Sequence, residues 1–375
     1  MLVAIMLLIG LIGVLMVTLF ACIVLISYPG IVKGLFIGEP LPVPTTSVSA
    51  KSGVNSVITP PLSASSYTIY VSGAAKNLYQ VDPQTDAIVK SIHLSNSPGD
   101  LAASLDGTRL FVCSDKNLTI INTRDNSIID SISFDRGVAM VRLSPDGKRL
   151  YVNYHDPDAA GDVAIIDTTS YDIIDTIHDV PFSWGMAVSP DGKYLYMSDY
   201  WKGKLTVIDT KKAAIIKAID CSPKGSISTT QYWKGHPYAS DGVAADVAVS
   251  PDGKRVYVSI WSGNHMAIIN ADTLSLDSVV NMDGRSSSGV TVSPDGQYVY
   301  LTCHDDDSLL VINANDYTIE DRILVAAGPR HVRITPDGRY LYVFCEGNAV
   351  EKVASKSLGV VKMDFQGNNA VFASV

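Results

Sequence analysis

One tetrapeptide recurs along this chain, and its spacing restricts the fold more than any other feature. Ser-Pro-Asp-Gly starts at Ser144, Ser189, Ser250 and Ser293, with Ser-Leu-Asp-Gly at Ser104 and Thr-Pro-Asp-Gly at Thr335. A basic or polar residue follows, then an apolar run: KRLYVNY, KYLYMSD, KRVYVSI, QYVYLTC, RYLYVFC. A first unit, with YTIYVS at 67–72, lacks the turn and aligns from Ser63. The starts at 63, 104, 144, 189, 250, 293 and 335 are spaced 41, 40, 45, 61, 43 and 42 residues apart. A period of this size marks a supersecondary unit that buries its apolar faces only against neighbouring copies.

Each unit reads as four short strands, A to D. Strand A precedes the turn, as in VAVS at 247–250. In the turn, Pro supplies a φ near −65° and Gly a positive φ, a hairpin signature. Strand B is the LYV-type run and strand C the VIDT-type run, such as Val207-Ile208-Asp209-Thr210. Strand D is the IIDTI-type run at 128–132 and 173–177. Unit one has B, C and D but no A, whereas Gly367 to Val375 match the A position. The fold expected is therefore all-β: a seven-bladed propeller of four-stranded blades, its C-terminal strand closing the first blade and removing a free edge.

The N-terminus is of another kind. Residues 1–32 carry no charged side chain, and 26 of the 32 are apolar. About 20 apolar residues span a bilayer core. A cleavable signal has a basic start and a shorter apolar run, so an uncleaved transmembrane helix over 1–32 is expected. Residues 33–66 are rich in Pro, Ser and Thr and read as an extended stalk of the kind found outside cells. The lone Lys33 argues weakly for the opposite orientation; the stalk outweighs it, placing the propeller, 67–375, on the extracellular side of the cell membrane.

The repeated SPDGKxLYV followed by VIDT and an Ile/Val strand resembles the YVTN-type β-propeller repeat of surface-layer-like proteins. The resemblance spans about 67–375. It implies a cell-surface or secreted location and a binding or structural role, and it carries no catalytic motif with it.

Composition excludes several functions. Net charge is −9, with 29 Lys and Arg against 38 Asp and Glu and no basic run, so nucleic-acid binding lacks its electrostatic term. The five cysteines form no CxxC or CxxCH, which argues against c-type haem, structural zinc and a disulfide framework. No cofactor motif is present. His155-Asp156 and His304 to Asp307 invite a metal reading, but the two histidines fall in blades three and six, too far apart to share one ion.

Two groups of candidate site residues remain. The fourth unit exceeds its neighbours by about 18 residues, an insertion at 221–242 on the face shared by the start of A and the end of B. It holds Tyr232, Trp233, His236 and Tyr238, and neighbouring units place Trp184, Tyr200, Trp201 and Trp261 on the same face. Such a sector suits recognition of an envelope glycan or a surface protein. Filling wedges between blades is the plainer role for any one of these rings. The second group, Asp100, Arg142, Asp246, Arg330, His331 and Arg333, lies at or near the start of strand A and would line the central channel. There it could bind a small anion, do acid–base chemistry, or close the channel as paired charges.

The leading expectation is thus a membrane-anchored surface propeller acting as a binding module. A lactonase-like or other hydrolytic enzyme using the channel Arg, His and Asp is the alternative, and a redox accessory of quinoprotein type a lesser one.

Overall fold

The computed structural model describes residues 67–374 apart from 74, 157–158, 224–229, 234–235, 240–241, 262 and 283–285, with side chains outside 224–241 and 364–375. The segment expected to cross the membrane and the stalk lie outside the described residues. Among the described residues no helix is long and apolar enough to cross a membrane.

Seven antiparallel four-stranded blades follow one another along the chain. Blades two to six comprise, in A-B-C-D order, residues within 101–133, 137–180, 186–220, 243–281 and 287–324. Blade seven takes A, B and C from Pro329–Ile334, Tyr340–Cys345 and Ala349–Ala354. Its D strand is the first half of a long final strand, Val360–Ser374, where Val353 faces Val360. The second half of that strand runs on into blade one and pairs with Tyr67–Gly73, from Gly73 against Gly367 to Tyr67 against Ser374. The C-terminal strand is thus strand A of blade one, as the repeat arithmetic requires. Each A strand packs on the A strand of the next blade, all the way round the ring.

The repeat motif shows why it is needed. In each turn the Ser hydroxyl, or that of Thr335, donates to the Asp carboxylate, 2.6 Å for Ser144 to Asp146, and accepts the backbone N–H that starts strand B, 2.9 Å from Arg149. Gly147, Gly192, Gly253 and Gly296 hold φ between 72° and 74°. A Cβ on Gly192 would stand 3.5 Å from the Pro145 ring of the preceding blade. The turns therefore stack edge to edge around what we term the lower face.

The aromatic residue of each LYV-type run is the wedge between blades. Tyr70, Phe111, Tyr151, Tyr196, Tyr257, Tyr300 and Tyr342 are all almost fully buried. Each belongs to a different one of seven hydrophobic clusters, and each cluster joins two adjacent blades. At about 25 cal/mol per Å² of apolar surface removed from water, these wedges are the main term favouring the ring. The D strands face outward and are largely exposed.

Strand A is not regular at its upper end. Its register against strand B slips by one residue between Val138 and Met140, Ala244 and Val247, Ser287 and Val290, and Pro329 and His331. Such bulges re-aim side chains, here toward the axis. Hydroxyls of strand B tie them down. Ser198 accepts from Gly185 N (3.0 Å) and donates to Ala245 O of the next blade (2.9 Å). Ser259 accepts from Asp246 N (2.8 Å) and donates to Ser288 O, and Thr302 accepts from Gly289 N (2.7 Å). Gly185 and Gly289 have no room for a side chain: a Cβ would meet the backbone of Asp246 or of Arg330 and His331 at under 3 Å.

Two short strands are described within the insertion at 221–242. Thr230–Trp233 and His236–Ala239 pair as two antiparallel strands, Trp233 opposite His236. Thr230, Tyr232, Trp233 and Tyr238 are residue types that favour strands.

Candidate functional site at the upper mouth of the channel

Because strand A is innermost, its bulged upper residues meet at the axis. Arg142 donates through Nη1 to Asp100 Oδ2 and through Nε to Met186 O (2.6 Å), linking blades two, three and four. Asp100 Oδ2 also accepts Val141 N at 3.0 Å. The same register positions recur across the ring. Asp246 accepts its own blade's Val247 N (2.9 Å) and the next blade's Val290 N (3.3 Å), and Arg333 Nη1 lies 3.6 Å from its Oδ2. Burial opposes the charge on Arg142, but Asp100 and Asp246 more than offset it and raise its pKa above the ordinary arginine value.

These pairs divide the channel. Below them is a cavity of about 500 Å³ reaching Pro145 and Pro336 of the turns. Above them is one of about 350 Å³, whose walls include His155, Ser183, Trp184, Arg330 and His331. Asp100, Arg142 and Arg333 border both. All six channel residues named from the sequence therefore stand around one axis, with Arg330 and His331 on the upper side.

The upper cavity has distinctive chemistry. Burial, with the charge of Arg333, pushes the His331 imidazole below its ordinary value against the opposing pull of Asp246 and Asp100. Its buried Nδ1 makes no hydrogen bond to any described group, and neither does His155 Nε2. Arg330 donates through Nη2 to Glu346 (2.7 Å) and is half exposed.

An aromatic belt adjoins this cavity. His155 meets Phe182 edge-on at 4.8 Å, and Phe182 packs on Trp184, Tyr200 and Trp201 at 5.6–6.4 Å between ring centres. Trp184 lies 4.8 Å from Tyr200 and 6.4 Å from Trp261, and Trp261 lies 4.8 Å from His304. His304 in turn bonds Glu346 at 3.1 Å, which returns the belt to Arg330. The structure thus brings together Trp184, Tyr200, Trp201 and Trp261. The backbones of Tyr232, Trp233, His236 and Tyr238 form the inserted strand pair, and their side chains fall outside those described. Trp184 is 42 % exposed and, like His155, belongs to both belt and cavity.

Sequence reasoning missed Phe182, at the centre of the belt, and His155, which it weighed only as a metal ligand. The signal for Phe182 was its place two residues before Trp184, at the head of strand A.

Residues 186–320 match the protein family described as "Lactonase, 7-bladed beta-propeller". That is about a third of the chain, blades four to six. No curated protein matches it in sequence. Among solved structures, hydrazine synthase of Kuenenia stuttgartiensis is similar, with a TM-score of 0.62 and 18% identity, covering 79% of this chain and 91% of that one. A functionally unknown protein from Desulfotomaculum acetoxidans DSM 771 has a TM-score of 0.66 and 16% identity, covering 82% and 98%. At such identities the likeness is one of fold alone.

Proposed function

We propose that this chain is a surface propeller of the YVTN-type, anchored in the membrane by residues 1–32 and displayed outside the cell on the stalk. In this reading it binds an envelope component, a glycan or a surface protein, through its upper face. The observation that carries the reading is Trp184. Its indole is 42 % exposed and continuous with Tyr200, Phe182 and Trp261, although the wedges between blades are already filled by the strand-B tyrosines. Aromatic rings kept at a cavity mouth offer a large contact area with polar tips, as binding surfaces do. Trp184→Ala combined with Trp261→Ala should remove retention of the protein on isolated cell envelopes while leaving its melting temperature within a few degrees. Unchanged retention would sink the reading.

Lactone hydrolysis is the second reading, favoured by the family match and by His331, whose pKa is lowered beside Arg330 and Arg333. The matched stretch, however, contains Asp246 but none of Asp100, Arg142, His331 or Arg333, so it supports blades and turns more than chemistry. If the enzyme reading holds, a lactone screen should find turnover that His331→Ala lowers at least 100-fold, as general acid–base catalysis requires. A wild-type chain without turnover would remove it.

A further inference from the structure

His304 touches three blades at the upper face, and both of its ring nitrogens face carboxylates. Nδ1 lies 3.0 Å from Asp305 Oδ1, and Nε2 lies 3.1 Å from Glu346 Oε1. Asp305 belongs to the same short turn in blade six, Glu346 to the matching turn in blade seven. The ring also packs on Trp261 of blade five, 4.8 Å between centres. Its side chain is 20 % exposed, so protons reach it from solvent. Among the described residues, Arg330 stands behind Glu346 at 2.7 Å, and Ser286 donates to Asp305 Oδ2. The next two carboxylates are engaged elsewhere: Asp306 pairs with Arg322 at 2.9 Å, and Asp307 accepts Gly328 N.

An ionised carboxylate only accepts, whereas a neutral imidazole has a single N–H. The neutral ring can therefore satisfy Asp305 or Glu346, and it turns a lone pair toward the other. Only the doubly protonated ring completes both bonds, each then charge-assisted. The carboxylates stay ionised while the ring changes charge. Hydrogen bonds from Ser286 and His304 hold Asp305 below its ordinary value, and those from Arg330 and His304 do the same for Glu346. The imidazolium is also a cation against the indole of Trp261, an attraction that the neutral ring lacks. Protonation thus tightens three contacts together, and loss of the proton loosens them together.

We propose that His304 is a proton-operated clasp of the upper face, which fixes Trp261 in the aromatic belt when protonated and releases it as pH rises. The moving parts are side chains and the short turns His304–Asp306 and Glu346–Asn348. This rests on the reading of the upper face as a binding surface and names how that surface is regulated. An envelope partner is held more tightly on the acid side of neutrality than on the alkaline side.

The first readout is tryptophan emission of the full chain in detergent, titrated from about pH 5.5 to about 8.5, the range in which imidazole changes charge. An imidazolium against an indole quenches it more than a neutral ring does, so emission should rise reversibly with pH. His304→Gln and Trp261→Phe should each remove that rise; a rise of the parent's size in either variant overturns the clasp. The second readout is retention on isolated cell envelopes, which should be at least about 5-fold tighter at the acid end of that range. His304→Arg, charged at every pH, should keep the tight state throughout, and His304→Gln the loose one. Melting curves within a few degrees of the parent's show that both variants are folded. Retention equal at the two ends in the parent, yet lost in Trp184→Ala/Trp261→Ala, would refute the clasp and leave the binding face standing. An emission rise carried by His304, with retention unchanged in Trp184→Ala/Trp261→Ala, would uphold the clasp and refute the binding face.

Discussion

At the scale of single residues, the aspartates of the repeated turns have a consequence for acid stability. Asp106 is held at about 2, chiefly by the hydroxyl of Ser104 and the backbone N–H of Thr108. Asp146, Asp191, Asp252 and Asp295 are lowered for the same first reason, each accepting from the Ser of its own turn. A group whose pKa is depressed on folding stabilises the fold above its unfolded value, about 3.9, and loses that contribution as pH falls through the folded value. The sites are equivalent and repeated, so the losses add. The melting temperature should hold from pH 7 to about 4.5 and fall steeply between about 4 and 2. A melt series that is flat across that window would show that the turns do not depend on their carboxylates. Other residues are opaque to sequence reading at this scale. The left-handed residue that ends the C-to-D turn is Asp86, Asn126, Tyr171, Ala213, Leu274, Tyr317 or Leu358 in blades one to seven; Asp and Asn favour a positive φ, but the other five do not announce one. The 5→1 bond from Tyr171 N to Asp167 O, 2.9 Å, and the Asp167 carboxylate that accepts Thr169 N and Ser170 N enforce it instead.

At the scale of elements, strands A to D, their order and the split first blade are all legible, because Ser-Pro-Asp-Gly and LYV fix turn and burial independently. The upper bulges are not. They arise where the next blade's backbone approaches Gly185 or Gly289 and where Ser198, Ser259 and Thr302 trade hydrogen bonds across blades, which are tertiary contacts with no local signature. This is also why the site was only half visible. Repeat alignment placed Asp100, Arg142, Asp246, His331 and Arg333 on the inner strand, but the division of the channel into two cavities depends on side chains reaching across one or two blades. The final strand carries the most direct prediction. Removing residues 367–375 strips the ladder from Tyr67–Gly73 and exposes the edge of a buried strand. The melting temperature should drop by on the order of 10 °C, and the shortened chain should self-associate on a sizing column. A truncated protein that stays monomeric with the parent's melting curve would mean the first blade stands without its partner.

At the scale of the whole molecule, charge and site are set against each other. Residues 33–64 contribute +1, so 65–375 carry −10. Yet three arginines, 142, 330 and 333, are gathered at the upper cavity. Each faces a carboxylate, Asp100, Glu346 and Asp246 respectively, so the mouth is a ring of paired charges set in an acidic body. The ring also has a mechanical side. Strand Tyr67–Gly73 is the first described element, and it is hydrogen-bonded along both edges, to Asn77–Val81 and to the final strand. A pull on the chain ahead of Tyr67 runs along that strand's axis, so both ladders are loaded in shear at once and cannot be peeled open one bond at a time. The seam that closes the circle is thereby also the joint through which a tethered propeller would bear drag.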